Sequence, residues 1–538
     1  MAVDDETEQL FTTVQHDGAI LIWSKTARDE DHPIGIIQGD RTHMADPHDI
    51  TFDPTTKMLY VVNFGTSRQA VAGTAGDNGS TDRPRPVNWP AGNLMPLRFR
   101  HEVVLGTGKF GPPSVTVYRA DARGNAAPVK AIEGPKTQLS WPTGIAVDPK
   151  NAEIYVANDT GNSVTVFAAN ASGDVAPVRV LRGSKTLLKN PTGVYVDVVN
   201  DEVWVASLGN HMATVYRRGA SGDVAPLRAI RSAPPNAGAT LINNPYSMAY
   251  DTIRDEMLVP SCVQHPRIAA FARTADKDAV PVRAIEGQKT DLNRTVHGIA
   301  YDEIHDEMIV NQNIGQAVLT FRGAANGDEA PIRIIQGPKT QFSDPVSVAV
   351  DAVHGEIFVF NMTGPVERKV LVFDRLAQGD VAPKRILKVG AGHGFVDPIH
   401  DLLIVGGGGG IQIYERTAEG YAKPKATIAG PNSKARGARA IKVYPPTGAI
   451  VANINAAGGE DATEGAFTGV WNINDNGDVP PRWMIGQGTL RQIRGLAINP
   501  KEKTVMISDK YLNGVLTYSV PEVFEQGSRP RETARVSR

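Results

Sequence analysis

The chain is long, almost neutral and nearly free of cysteine, and these properties exclude several classes of protein. Its 538 residues carry 56 Lys and Arg against 58 Asp and Glu, so no global charge attracts nucleic acid or an acidic membrane surface. Cys262 is the only cysteine, which excludes an internal disulfide, and no apolar run is long enough to predict a membrane span.

A repeat of roughly 50 residues runs through most of the sequence and dominates the prediction of the fold. The clearest copy begins at Gly134 and reads GPKTQLSWPTGIAVDPKNAEIYVANDTGNSVTVFAANASGDVAPVRVL. Further copies begin near Gly183, Gly287 and Gly337, and weaker copies begin at Gly392, Gly437 and Gly488. Self-similarity at a fixed period indicates that each copy is one structural unit.

Each copy predicts four antiparallel strands. In the copy at Gly134 they are GIAVD, EIYVAN, SVTVFA and APVRVL, here called the first to fourth strands. Period-two alternation, β-branched residues and turns rich in Gly, Asn and Asp support these assignments. The GPKT, GSKT and GQKT segments lack the spacing of a phosphate loop and are interpreted as turns. Four strands in series predict blades arranged around a channel, whereas a solenoid would need one short strand per coil.

We therefore predict an all-β domain over residues 1–524, a single β-propeller of about nine blades, with eight to ten as the range. The first strands begin, in chain order, near His48, Thr143, Thr192, Tyr246, His297, Val346, His393, Arg439 and Arg494. Residues 10–39 align without a gap to residues 154–183, so the N-terminus should supply a second, third and fourth strand. The last copy lacks a fourth strand, so we expect the two chain ends to close the ring, leaving residues 525–538 as a flexible tail.

The element PTGIAVDPKNAEIYVANDTGNSVTVF and its copies resemble the NHL and YVTN-type repeats of bacterial β-propellers. That superfamily includes streptogramin lyase and the peptide α-amidating lyase. The resemblance covers residues 10–520 and implies the propeller fold. It implies no particular activity, because such propellers host enzymes, binders and scaffolds, and no single enzyme's catalytic motif matches.

Antiparallel strand order assigns the three long insertions to one face of the predicted propeller, here called the top. They span residues 65–113, 231–245 and 453–467. Long loops gathered on one rigid face indicate function, although drift at tolerant loop tips gives the same pattern. Residues 65–113 are basic and rich in Gly and Pro, so they predict a mobile lid in which Arg98 and Arg100 bind an anionic substrate. A solvated loop without a specific role is the alternative.

The residues that open the first strands form a second candidate site. Innermost strands of a propeller face the channel, so these side chains should ring its top mouth. His, Tyr and Arg side chains can move protons or hold an anion, whereas a polar wall around water is the alternative. The catalytic candidates are His48, Tyr246, His297 and His393, and the substrate-binding candidates are Arg439 and Arg494. Because His393, Arg439 and Arg494 belong to successive copies, we expect them to lie closest together.

A divalent metal is the only cofactor for which the sequence offers candidate ligands, and its identity stays open. His43 and His48 lie five residues apart, with Asp46 and Asp49 beside them. Neutral imidazole is a common metal ligand, although a polar loop without metal has the same composition. By contrast, three histidines recur at one turn position of the repeat and are interpreted as turn residues: His305, His354 and His400.

Two classes of function remain open. The first is a binding or scaffold propeller that recognises an anionic small molecule, a glycan or a protein partner at the top mouth. The second is a lyase or hydrolase in which His and Tyr move protons and Arg neutralises a carboxylate or enolate, with a metal as an alternative. We favour the binder, because no enzyme motif matches. The residues after Met1 include no apolar signal region, and we expect a mature secreted or periplasmic protein rather than a cytoplasmic one.

Overall fold

A computed structural model shows an almost entirely β protein. It describes residues 1–15, 18–28, 31–71, 102–232, 242, 245–261, 265–294, 296–363, 367–389, 392–455 and 464–525. Within those ranges the only α-helix is Pro521–Phe524, and none is long and apolar enough to cross a membrane. The chain divides into two compact units, Met1–Ala239 (unit 1) and Thr240–Arg538 (unit 2), which are described in turn.

Unit 1 contains four antiparallel sheets of four strands each, numbered 1 to 4 along the chain. Its strands are β1 (Ala2–Asp4), β2 (Gln9–Val14), β3 (Ala19–Ser24), β4 (Gly35–Gln38), β5 (Pro47–Asp53), β6 (Met58–Asn63), β7 (Thr66–Ser67), β8 (Ala70–Val71), β9 (Glu102–Val103), β10 (Lys109–Phe110), β11 (Ser114–Arg119), β12 (Lys130–Glu133), β13 (Pro142–Asp148), β14 (Glu153–Asn158), β15 (Ser163–Ala168), β16 (Arg179–Arg182), β17 (Pro191–Asp197), β18 (Glu202–Ser207), β19 (Met212–Arg217) and β20 (Arg228–Arg231). Sheet 1 has the order β1-β2-β3-β4, sheet 2 the order β5-β6-β11-β12, and sheets 3 and 4 take β13 to β20 in succession. Two short ribbons, β7 with β10 and β8 with β9, belong to the predicted insertion between β6 and β11.

Unit 2 continues the same plan with five four-stranded sheets and a last sheet of three strands, numbered 5 to 10. Its strands are β21 (Ala249–Asp251), β22 (Glu256–Ser261), β23 (Arg267–Ala272), β24 (Arg283–Ile285), β25 (Val296–Asp302), β26 (Glu307–Gln312), β27 (Ala317–Arg322), β28 (Arg333–Gln336), β29 (Pro345–Asp351), β30 (Glu356–Thr363), β31 (Glu367–Asp374), β32 (Arg385–Lys388), β33 (His393–Asp397), β34 (Leu402–Gly407), β35 (Gly410–Glu415), β36 (Ala426–Ile428), β37 (Ala438–Tyr444), β38 (Ala449–Ile454), β39 (Phe467–Asn472), β40 (Trp483–Ile485), β41 (Ile493–Asn499), β42 (Thr504–Asp509) and β43 (Gly514–Ser519). Each sheet takes its strands in chain order. The predicted four-strand repeat is therefore confirmed, as are all nine predicted first strands, which begin within three residues of their expected positions.

The predicted pairing of the two chain ends is wrong. The N-terminal segment has its own first strand, because Ala2 to Asp4 of β1 pair with Phe11 to Gln9 of β2. Among the described residues, the last sheet, β41-β42-β43, acquires no fourth strand from the N-terminus. A first strand of three residues is too short to carry a visible alternation, which is why the repeat pattern missed it.

The core is distributed between successive sheets, which pack face to face. Between sheets 3 and 4, for example, Tyr155 and Val166 on one side pack in the same cluster as Val203 and Tyr216 on the other. Period-two alternation turns every second side chain toward each neighbour, so each sheet has two apolar faces. Burial of one such side chain contributes about 1.5–3 kcal/mol.

A recurring polar contact joins neighbouring sheets and explains the GxKT turns. In the copy at Gly183, the backbone N–H of Lys185 donates to Asp223 Oδ1 at 2.7 Å, and Thr186 Oγ1 donates to the Gly183 carbonyl at 2.6 Å. Gly183 has a φ of 138°, and a Cβ there would overlap the Asp223 carboxylate of the next sheet. The same contact recurs with these acceptors: Asn125, Asp174, Asp328, Asp380 and Asp478. The turns are therefore joints between sheets, as their recurrence along the chain indicates.

The two units differ in how their successions of sheets end. In unit 1, sheets 1 to 4 contact one another in order. In unit 2, sheets 5 to 10 do the same, and the first strand of sheet 10, β41, also contacts the first strand of sheet 5, β21. Asn499 Nδ2 donates to Tyr250 Oη at 2.9 Å across this contact, and Met248 shares a core cluster with Met506. That residues 1–524 form one domain stays a prediction.

Candidate functional site

Tyr246 and His297 form the centre of the candidate site in unit 2. Tyr246 lies just before β21, and His297 is the second residue of β25. Their ring centroids are 4.1 Å apart and the planes differ by 20°, so the rings stack. Residues separated by a whole repeat of the sequence are thus in direct contact.

Two arginines from other sheets complete a cluster around the tyrosine ring. Arg439 Nη2 donates to Tyr246 Oη at 2.5 Å, and its Cζ lies 5.6 Å from the centroid of that ring. Arg494 Cζ lies 5.5 Å from the same centroid. These are distances at which a guanidinium interacts favourably with the face of an aromatic ring. The site therefore joins four sheets of unit 2 at one tyrosine.

A β-bulge lies at two of these side chains, those of His297 and Arg494. The pairing of the first and second strands shifts at the strand opener in sheet 6, between Val296 and Gly298, and in sheet 10, between Ile493 and Leu496. His297 and Arg494 are residues that the ladder skips. A bulged residue leaves the alternation of the strand and re-aims its side chain. His297 and Arg494 therefore occupy irregular positions of the backbone, which the repeat pattern alone does not reveal.

His393 opens β33 and is held in its neutral form. Its side chain is partly exposed. Burial lowers the pKa of His393 well below its usual value, and neighbouring positive charges lower it further. Those neighbours are Arg439, His297, Arg494 and Arg368. The predicted proximity of His393 to the two arginines of successive sheets agrees with this electrostatic coupling.

Sequence reasoning missed two more cationic side chains of unit 2, of which Arg368 is coupled to His393. Arg368 lies on β31, where the hairpin of sheet 7 is two residues longer in each strand than its counterparts. Lys442 follows Arg439 on β37, with Nζ 5.2 Å from the centroid of the Phe395 ring. Burial lowers the pKa of Lys442 to about 8. The lengthened hairpin was the only sequence signal for Arg368, and Lys442 offered none.

Positive charge is therefore concentrated around a neutral imidazole. Arg494 is only 4% exposed, so water screens its charge poorly. Bringing cations together away from water is costly, and an anion placed among them reduces that cost. The arrangement is suited to hold a carboxylate or phosphate, with His393 and Tyr246 as hydrogen-bonding groups beside it.

The other predicted site residues and strand openers are described by their own surroundings. His48 is on β5 in unit 1, where its ring centroid is 5.0 Å from that of Phe64. Val346 and Thr143 are buried openers, and Thr143 Oγ1 donates to the Pro191 carbonyl at 2.9 Å. Arg98 and Arg100, like the centre of the predicted lid and the tail after residue 525, fall outside the described residues.

The described part of the chain shows no cluster of three or more His, Cys, Asp or Glu side chains able to hold a metal ion. His43, one of the two metal candidates, is exposed and adopts a left-handed conformation with a φ of 55°. The metal assignment for His43 and His48 stays a prediction. The three turn histidines are confirmed as such, because each ring Nδ1 lies 2.8 Å from the aspartate that opens its turn.

Comparison with known proteins adds no identity. No model of a protein family matches the chain, and no curated protein is significantly similar to it. The interpretation of the cluster in unit 2 therefore depends on its geometry and charge.

Proposed function

We propose that unit 2 is a six-bladed β-propeller, in which sheets 5 to 10 are the blades and their first strands surround a channel. The support is the cyclic succession of contacts, in which β41 meets β21 after each first strand has met the next. Four-stranded repeats in series form blades of this kind. The repeat elements also favour membership of the NHL and YVTN-type propellers. Secretion or a periplasmic location stays a prediction.

We infer that this unit binds an anionic small molecule at the mouth of that channel. One observation carries the proposal: Tyr246, His297, Arg439 and Arg494, from four different sheets, converge on one tyrosine ring. His393 and Arg368 add a neutral imidazole and a further cation. A small carboxylate or phosphate fits better than a glycan or a protein surface, because Arg494 is almost completely buried.

The binding test uses inorganic phosphate as the probe and the His393 imidazole as the reporter. NMR titration of protein labelled at histidine Cε1 should show His393 neutral in the free protein. Phosphate should raise the pKa of His393, because an anion offsets the cations that lower it. Calorimetric titration of the same sample gives the affinity.

The double variant Arg439→Gln and Arg494→Gln should weaken phosphate binding at least tenfold, since each charged hydrogen bond contributes about 1.5–3 kcal/mol. The same variant should raise the pKa of His393 in the absence of phosphate. Arg322→Gln is the matched control, because Arg322 is exposed and pairs with Glu329 on the outside of the unit. A His393 signal that ignores phosphate, or equal binding in the double variant, would contradict the proposal.

A lyase is the second candidate, and the electrostatic coupling of His393 to Arg439 and Arg494 favours it. A neutral imidazole is a proton acceptor at neutral pH, and two guanidinium groups beside it would stabilise the negative charge that develops when a proton leaves the carbon next to a carboxylate. A β-elimination would follow if that carbon's neighbour carried a leaving group. In this candidate His297 or Tyr246 would protonate the leaving group.

Malate is a simple probe for this candidate, because loss of water from it gives fumarate. Incubation in D2O should show deuterium entering the carbon that loses its proton, or fumarate forming, in the native protein. His393→Gln should abolish both signals while phosphate still binds. If neither signal exceeds that of buffer alone, elimination from a hydroxy acid of this class is excluded.

A further inference from the structure

Unit 1 contains a cavity that is separate from the cluster described above. Its volume is about 140 Å³, and it lies beside the joint between sheets 1 and 2. The charged or titratable lining residues are Asp40, His43, Arg68 and Lys109. A cavity of this size accommodates a molecule about as large as benzene.

The wall of the cavity is built by both legs of the insertion between β6 and β11. Ser67 on β7 is paired with Lys109 on β10. Arg68, the next residue after Ser67, is therefore close to Lys109 along the ribbon. The backbone N–H of Gln69 donates to Thr107 Oγ1 at 3.0 Å, and Thr107 Oγ1 donates to the Val104 carbonyl at 2.8 Å. The first bond joins the two legs and the second is made within the C-terminal leg, so the cations lie on a hydrogen-bonded ribbon.

The opposite wall is the turn after β4, and it is fixed as well. Gln69 Nε2 donates to Asp40 Oδ2 at 3.1 Å, which ties the carboxylate to the ribbon. The N–H of Arg41 donates to Asn125 Oδ1 at 2.8 Å, which is the joint contact of this copy. Asp40 is the one carboxylate among the described lining residues, which also include the two cations Arg68 and Lys109. The lining therefore carries a net positive charge.

We propose that this cavity binds a small molecule bearing one carboxylate or phosphate group, held between Arg68 and Lys109. Arg provides a planar fork for an oxyanion, and Lys provides a point charge. Asp40 and His43 then face the far end of the ligand, where a hydrogen-bond donor would be accepted. None of the lining residues of this cavity belongs to the cluster around Tyr246.

Phenylglyoxal labelling of arginine in the full chain, resolved peptide by peptide, tests the site with inorganic phosphate as the probe. Phosphate should protect Arg68 from the reagent. Lys109→Gln should shift the protecting concentration at least about tenfold upward, since it removes a charged hydrogen bond. Asp40→Asn should shift it at least about threefold downward, because it removes a nearby negative charge.

Lys25→Gln serves as the control, because Lys25 is an exposed lysine of the same unit that pairs with Asp5. It should leave protection of Arg68 unchanged, and thermal denaturation should show that all variants are folded. Labelling of Arg439 in the same samples reports on unit 2 separately. Absence of protection at Arg68, or equal protection in the native protein and Lys109→Gln, would overturn the proposal whatever Arg439 shows.

Discussion

Sheets 3 and 4 are copies of the same repeat, yet Leu181 of sheet 3 is covered and the equivalent Ile230 of sheet 4 is exposed. Leu181 on β16 and Ile230 on β20 occupy equivalent positions, opposite Val164 and Ala213 respectively. Leu181 is 4% exposed and Ile230 is 60% exposed. The difference shows that a repeat determines the side chains of a face, whereas a neighbour determines their burial.

The GxKT sequence of the hydrogen-bonded turn that joins neighbouring sheets is also missing after sheet 4. After β20 the sequence reads RSAPPN, without the Gly and Thr of the GxKT turn. In sheet 4, Glu202 accepts hydrogen bonds from Arg228 of its own sheet, whereas Glu356 of sheet 7 accepts from Arg385 of its own sheet and Arg416 of the next. Sheet 4, the last sheet of unit 1, therefore differs from sheet 3 in its apolar contacts and from sheet 7 in its ion pairs.

The largest effect that tests this comparison is expected from truncating the covered position. Leu181→Ala should lower the free energy of unfolding of unit 1 by about 2–5 kcal/mol, because it leaves a cavity between sheets 3 and 4. Ile230→Ala should change it by less than about 0.5 kcal/mol. Native-state hydrogen exchange resolved by peptide measures both. Equal losses would show that the face of sheet 4 is covered in solution.

A side chain at Gly183 should disrupt the hydrogen bond between Lys185 and Asp223 that joins sheets 3 and 4. Gly183→Ala should cost about 1–3 kcal/mol for the strained φ, with the displaced Asp223 hydrogen bond adding to that loss. Gly222→Ala is the matched control, since Gly222 has a φ of 74° but open space around its Cα, and it should cost about 1–2 kcal/mol. In an Asp223→Ala background the two glycine substitutions should become similar. Chemical denaturation provides the values, and an unchanged difference would contradict the steric argument.

The dependence of stability on acid pH should differ between Glu356, which is bonded by arginines of two sheets, and Glu202 of sheet 4, which is bonded by Arg228 of its own sheet. Burial by itself would raise the pKa of Glu356, but hydrogen bonds from Arg385 and Lys384 lower it to about 2. Because the folded value lies below the unfolded one, Glu356 stabilises the protein above pH of about 4.3 and loses that contribution as the pH falls toward 2. Glu356→Gln should flatten this acid dependence in unit 2. Glu202→Gln should affect it less, and a reversed order would contradict the comparison.

A smaller effect on the free energy of unfolding is expected at alkaline pH from Lys442 in unit 2. Burial lowers the pKa of Lys442 to about 8, so the folded state releases a proton that the unfolded state keeps until about 10.4. The free energy of unfolding should therefore rise with pH in that window. Lys442→Met should remove the rise, whereas Lys425→Met, at an exposed lysine paired with Glu415, should not. Denaturation at several alkaline pH values measures it.

The sequence by itself determined the strands, the turns and the side chains that open each first strand. These depend on local patterns, such as the alternation in EIYVAN and the Gly-Asp turn, which act within one repeat. The same reasoning identified His297, His393, Arg439 and Arg494 as a set. It missed Arg368 and Lys442, because their importance comes from neighbours on other sheets.

Only the tertiary structure decided where a succession of sheets begins and ends. Every repeat presents similar apolar faces and a similar joint, so local sequence cannot say which sheet meets which beyond its nearest neighbour. The contact of β41 with β21, the separate first strand at Ala2–Asp4 and the open face around Ile230 all depend on that choice. Convergence of the site on Tyr246 follows from the same contact, because it brings Arg494 at the end of the chain beside the start of unit 2.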